Sequence, residues 1–199
     1  MALGKQAKVL SKHQIDGVLA FLGTRLNGLR DQTIFLLSVR AGFRAKEIAG
    51  LKWSMITTPD GQIGDLINLT DIASKGNSGR IIPINKQLHG YLVRLLTAEQ
   101  TKFGFDLATW NVITTQRSKT TSAQAIVTMF FRWYRELGLL GCSSHSGRRT
   151  FITNAAKKIS TVGGSIRDVQ VLAGHSSLQT TQRYIDGDTD ARRKIVDVI

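Results

Sequence analysis

The chain has 199 residues, 42% of them hydrophobic, enough to bury a substantial core in one domain or two small ones. Lys and Arg number 27 against 14 Asp and Glu; the formal charge of +13 favours a polyanionic partner, nucleic acid first, through counterion release and steering. The single cysteine, Cys142, rules out an internal disulfide or a cysteine-rich metal site, no apolar run approaches the roughly 20 residues that span a bilayer, and MALGKQAKV lacks a signal-peptide stretch, so the chain reads as cytosolic with no membrane partner.

Residues 1–10 read as a flexible leader. SKHQIDGVLAFL, residues 11–22, opens with a capping-box pair, Ser11 and Gln14, and continues with Ile15, Val18, Leu19 and Leu22 at helical spacing. A second helix is expected over 29–41, with Ile34, Leu37 and Val39 inward and Gly42 as its stop, followed by a short third helix through Lys46, Glu47 and Ile48. After Trp53 the pattern changes to MITT, a Pro59-Asp60-Gly61 turn, DLINLTDI, a turn over residues 75–79, and RIIPI, which predicts a small antiparallel sheet of three strands. Helix returns over 86–99 and 122–137, then in shorter segments near 146–158, 165–173, 177–185 and 189–198. The fold class is therefore α+β, mostly helical, with one small three-stranded meander.

No metal motif is present: C-x-x-C, H-E-x-x-H and an EF-hand loop are all lacking, and SKGNSG lacks the G-K-[ST] order of a phosphate loop. Phosphoryl chemistry, if it occurs, must then rely on side chains alone, with no cofactor. Four clusters stand out: Arg44 in AGFRAKEIAGLKW, Lys75 in SKGNSGR, His145 and Arg148 in HSGRRTF, and His175 in LAGHSS, with Tyr184 after them. Each has an ordinary explanation alone. Arg44 suits a solvated charge near a helix start, Lys75 a turn lysine, His145 a helix cap, His175 a terminator after Gly174, and Tyr184 a half-buried anchor with a wet hydroxyl.

Taken together, the order Arg, Lys, His-x-x-Arg, Gly-His, Tyr resembles the catalytic set of the tyrosine recombinases, the phage integrase family. AGFRAKEIAGLKW is similar to that family's first arginine box, HSGRRTF to its second, and LAGHSSLQTTQRYI to its histidine and nucleophile segment. The resemblance runs from about residue 11, giving a catalytic domain over 11–187 and a docking or exchange helix over 188–199, and it leaves out the helical DNA-clamping domain most members carry. It implies a DNA strand-exchange enzyme independent of metal and nucleotide, cytoplasmic and nucleoid-associated, acting on double-stranded DNA as a homo-tetramer and monomeric when free. By the same resemblance Tyr184 attacks the phosphodiester, Arg44 and Arg148 bind its non-bridging oxygens, Lys75 protonates the departing 5′ oxygen, His145 takes the tyrosine's proton, His175 donates to the phosphate and Glu47 supports Arg44. The segment around Tyr184 is short of apolar residues, which implies a hydroxyl that approaches DNA and does not pack. Arg149 stands where the family commonly has histidine, and Gly147 where leucine is frequent, so a changed layer behind the site is expected. A type IB topoisomerase, relaxing one duplex through the same phosphotyrosyl step, and a non-catalytic DNA-binding module are the alternatives.

Overall fold

The structure is a computed structural model that describes residues 7–71, 79–115, 118–186 and 196–197. Lys75 and the expected 188–199 helix, residues 196 and 197 apart, lie outside the described residues. The helices are α1 (Lys12–Gly23), α2 (Gly28–Ala41), α3 (Ala45–Gly50), α4 (Lys86–Gln100), α5 (Ala123–Glu136), α6 (Ser146–Lys158), α7 (Ile166–Ala173) and α8 (Leu178–Asp186). Between α3 and α4 the strands β1 (Leu66–Leu69) and β2 (Arg80–Pro83) pair antiparallel, Ile67 opposite Ile82.

Local sequence explains most of these boundaries. Ser11 and Gln14 close both halves of a capping box on α1, Asn85 and Ser122 cap α4 and α5 through their side chains, and Gly42, at φ 70°, ends α2 in the left-handed region. Leu10, at the end of the expected leader, is buried, and its N–H donates to Thr150 Oγ1 at 2.8 Å, so packing begins before α1.

The core forms around α2, which packs against α1, α4 and α6. The expected inward stripe of Ile34, Leu37 and Val39 is too narrow: Phe35 and Leu36 are buried as well, because helices surround α2 and it has no broad solvent face. Phe130 of α5 seats its ring 6.5 Å from that of Phe35 and 5.2 Å from that of Trp133. Burying a side chain of this size contributes on the order of 1.5–3 kcal/mol. A second, smaller cluster, Ile152, Val169 and Ala173, joins α6 to α7, with Tyr184 of α8 packed on it.

The predicted three-stranded sheet has two strands among the described residues. Residues Trp53–Met55 coil into a 3-10 turn, and the segment then meets its neighbour only at the isolated bridge Thr57–Ile63. The tight Thr58–Gly61 reversal uses up the extended backbone that a third strand would need, as Gly61 N–H bonds back to the Thr58 carbonyl. Past α6, a 3-10 turn over Ile159–Val162 ends at Gly163, φ 76°, and leads into α7.

Candidate active site

Two arginines fasten the site together. Arg148 sits in the first turn of α6, 3% exposed, and donates from its two terminal nitrogens to the carbonyls of Gly42 and Ala173, each at 2.6 Å. Those carbonyls lie two residues before Arg44 and two before His175. One guanidinium fork therefore ties the end of α2 to the end of α7, and the carbonyls at both helix ends suit a cation. Burial, then the charges of Arg44 and Arg80, lower the Arg148 pKa to about 10, so it stays protonated at neutral pH.

The second arginine is Arg80, the first residue of β2, which the sequence reading passed over. Its NH1 and NH2 reach the two oxygens of fully buried Glu47 at 3.0 and 3.1 Å, and its Nε donates to the Leu172 carbonyl at 2.9 Å. Glu47 also accepts from Arg44 twice, at 2.8 Å each, through NH1 and through the backbone N–H at the start of α3. Burial by itself pushes the Glu47 carboxyl up, but hydrogen bonds and charge from Arg80 and Arg44 more than offset it and hold it below the usual carboxylate range. The guanidiniums of Arg44 and Arg80 thus share one carboxylate with that of Arg148 nearby, which leaves an excess of positive charge with part of Arg44 open to solvent. A strand register signals Arg80: Ile82 faces the core, so period two turns Arg80 inward as well.

His175 follows Gly174, the left-handed stop of α7 at φ 61°. Its Nδ1 lies 2.9 Å from the hydroxyl of fully buried Thr181, a second residue the sequence reading did not single out. Burial first, then Arg148, Arg44 and Arg80, lower its pKa to about 4, so the ring is neutral at pH 7. When the Thr181 hydroxyl donates to Nδ1, the ring's remaining proton sits on Nε2, where it can be given to an anion.

Tyr184 lies one turn beyond Thr181 on α8. Its ring stacks on His175 with centroids 5.3 Å apart and is half-buried beside Ile152, Val169 and Ala173. The ring packs although its sequence neighbours are polar, because the apolar surface comes from α6 and α7. Tyr184 lines a cleft of about 300 Å³ with His145, Arg148 and Arg149. His145 stands at the start of α6 but makes no side-chain capping bond, and it is exposed. Arg149 has its Nε buried without a hydrogen-bond partner among the described residues. Gly147 has a packing reason: a Cβ there would stand 2.3 Å from Ser38 Oγ, so α2 and α6 meet where only glycine fits. A larger cleft of about 470 Å³, bounded by Arg30, Glu99, Trp110 and Lys119, contains none of these residues.

The structure thus brings Arg44, Glu47, His145, Arg148, Arg149, His175 and Tyr184 to one region, while Lys75 falls outside the described residues. Among the described residues no three His, Cys, Asp or Glu side chains group to hold a metal, and no helix is long and apolar enough to cross a membrane.

Comparison with known proteins agrees with this arrangement. The chain is 28% identical over 177 residues to tyrosine recombinase XerD of Lacticaseibacillus casei, covering 88% of this chain and 57% of that protein. It is 28% identical over 198 residues to tyrosine recombinase XerC of Shewanella sp. (strain ANA-3), covering 97% and 62%. The chain therefore spans about three-fifths of the length of these relatives. The crystal structure of XerA recombinase superposes with a TM-score of 0.74 at 21% identity, covering 94% of this chain and 63% of that one, which shows a shared fold. The Tn1549 transposon integrase in complex with a circular intermediate DNA gives 0.72 at 18%, covering 98% and 66%. The model of the phage integrase family matches residues 8–190, nearly the whole described chain, and the protein belongs to that family.

Proposed function

We propose that this chain cleaves and rejoins DNA strands as a site-specific recombinase, through a covalent 3′-phosphotyrosyl intermediate on Tyr184. The observation that carries the reading is a half-buried tyrosine stacked on a histidine, beside the buried Arg148 and two further guanidiniums, Arg44 and Arg80, that share a single carboxylate. Such a surplus of fixed positive charge fits a phosphodiester whose non-bridging oxygens gain charge as a nucleophile adds.

In the proposed reaction the Tyr184 oxygen attacks phosphorus, its proton passing to His145. Arg44 and Arg148 donate to the non-bridging oxygens, and the neutral ring of His175 adds a third donor. The phosphorus–oxygen bond to the 5′ side breaks, and Lys75 supplies the proton the departing oxygen needs. The tyrosyl ester conserves the energy of the broken linkage, so a 5′ hydroxyl from another strand reverses the step and returns the proton to Tyr184. Glu47, the only carboxylate in the cluster among the described residues, is already held by two arginines, so the donor set suits an anion and not a divalent cation.

The partner in this reading is double-stranded DNA, and the similar Tn1549 transposon integrase was solved in complex with a circular intermediate DNA. The active unit is a homo-tetramer assembled on DNA from free monomers, with residues 188–199 docking on the neighbouring subunit, in the cytoplasm at the nucleoid. Tyr184→Phe tests the chemistry, since it removes only the attacking oxygen. It should bind DNA as the wild type does and form no adduct on a suicide half-site, and adduct formation by this variant would reassign the nucleophile.

A further inference from the structure

We infer that Arg80 is a positioning residue for strand cleavage, aiming Arg44 through Glu47 and holding the end of α7 from which His175 departs; the inference rests on the recombinase reading above. Arg80 is 8% exposed and does not line the cleft of Tyr184. Its contacts nonetheless fall on the immediate neighbours of two proposed catalytic residues. On the Arg44 side it occupies both oxygens of Glu47 and lies over the ring of Phe43, 5.7 Å from the centroid. On the His175 side its Nε holds the Leu172 carbonyl, and a Cβ on Gly174 would meet its Cδ and NH1 at 3.0 Å.

The geometry divides the work on Glu47 unequally. Arg80 grips the carboxylate with two parallel bonds, which fixes the plane of the carboxylate. Arg44 uses one terminal nitrogen and its backbone N–H, leaving the rest of its guanidinium for another acceptor. The carboxylate's orientation, and with it the aim of Arg44, is therefore set from Arg80. A lysine at position 80 keeps the charge but is a point donor, and it cannot reproduce a planar fork on Glu47 together with a bond to Leu172.

If Arg80 were only a stabilising ion-pair partner, its loss would lower stability and leave the catalytic rate of folded protein alone. The positioning role is tested by Arg80→Lys in the 199-residue chain, following single-turnover adduct formation on a suicide half-site together with DNA affinity. The adduct rate should fall about a hundredfold, the cost of an ångström-scale misplacement, at unchanged DNA affinity. In an Arg44→Lys background the same substitution should cost much less, because the group it aims is already altered. A wild-type rate for Arg80→Lys, or a defect that multiplies in full onto Arg44→Lys, overturns the inference.

A readout independent of reaction is the Nε–H resonance of Arg44 in the free protein. It should broaden and shift in Arg80→Lys, and an unchanged resonance also overturns the role. Absence of adduct from the wild-type chain would remove the recombinase reading, while this resonance still decides whether Arg80 restrains Arg44. Should Arg80→Lys fail to fold, the neutral pair Glu47→Gln with Arg80→Gln carries the same test, and a wild-type adduct rate from that pair contradicts the inference.

Discussion

Gly147→Ala places a methyl group at the tightest point between α2 and α6. The new Cβ would lie 2.3 Å from Ser38 Oγ, 2.9 Å from Ser38 Cβ and 3.0 Å from Val39 Cγ1. Rotating Ser38 relieves the first contact at no cost in hydrogen bonding, since its buried hydroxyl has no partner among the described residues. The second contact survives rotation, because Ser38 Cβ is fixed to the α2 backbone, so the helices must separate by several tenths of an ångström. Overpacking of this kind costs about 1–3 kcal/mol. The better helix propensity of alanine returns up to about 1 kcal/mol. A net loss of about 1–2 kcal/mol lowers the Tm of a chain this size by roughly 2–8 °C. The next residue is Arg148, so the displaced first turn of α6 also strains its 2.6 Å bonds to Gly42 and Ala173, and adduct formation should slow. Thermal unfolding and half-site cleavage of Gly147→Ala, with and without Ser38→Gly, measure both effects. The second substitution removes the fixed Cβ and should recover part of each loss. An unchanged or higher Tm for Gly147→Ala alone, or no recovery on adding Ser38→Gly, would refute this reasoning.

His175 has a folded pKa of about 4 against an ordinary 6.5, so as pH falls through that window the unfolded chain takes up the proton first. The stability tied to neutral His175 is complete above pH 6.5 and is lost as pH falls to about 4. Urea midpoints should therefore drop less between pH 7 and 4.5 in His175→Gln than in the wild type, and equal slopes would contradict the shift. Lys75→Ala should slow cleavage of ordinary DNA severely yet recover on a substrate with sulfur as the bridging 5′ atom, since a thiolate leaves without a proton. A variant that stays slow on the sulfur substrate would assign the general acid elsewhere.

The helical frame was legible because periodicity and caps are local signals. Ser11 with Gln14 marked the start of α1, Gly42 the end of α2, and the helical pattern over 122–137 marked α5. The missing third strand and the all-round burial of α2 were not, since both depend on what packs alongside. MITT has strand composition, but its continuation into a strand is decided by the reversal at Thr58–Gly61. Within the site, residue types in chain order pointed to Arg44, Arg148, His175 and Tyr184, whereas the partners that hold them were harder to see. Thr181 sits among similar hydroxyl residues and is distinguished only by where the α7–α8 turn puts it. Arg80 is the instructive omission, because the register of Ile82 already turns it inward and a buried arginine demands an acidic partner. Gly147 is explained only by Ser38, which lies on another helix.

The central claim is that Tyr184 becomes covalently joined to DNA. The most direct measurement is to trap the protein on a suicide half-site in excess chelator, digest the adduct, and locate the nucleotide-bearing peptide by mass spectrometry. The account predicts a single modified residue, Tyr184, carrying a 3′-phosphate linkage, with undiminished yield in the presence of chelator. Attachment at another residue, a 5′ linkage, or cleavage that requires a divalent ion would contradict it.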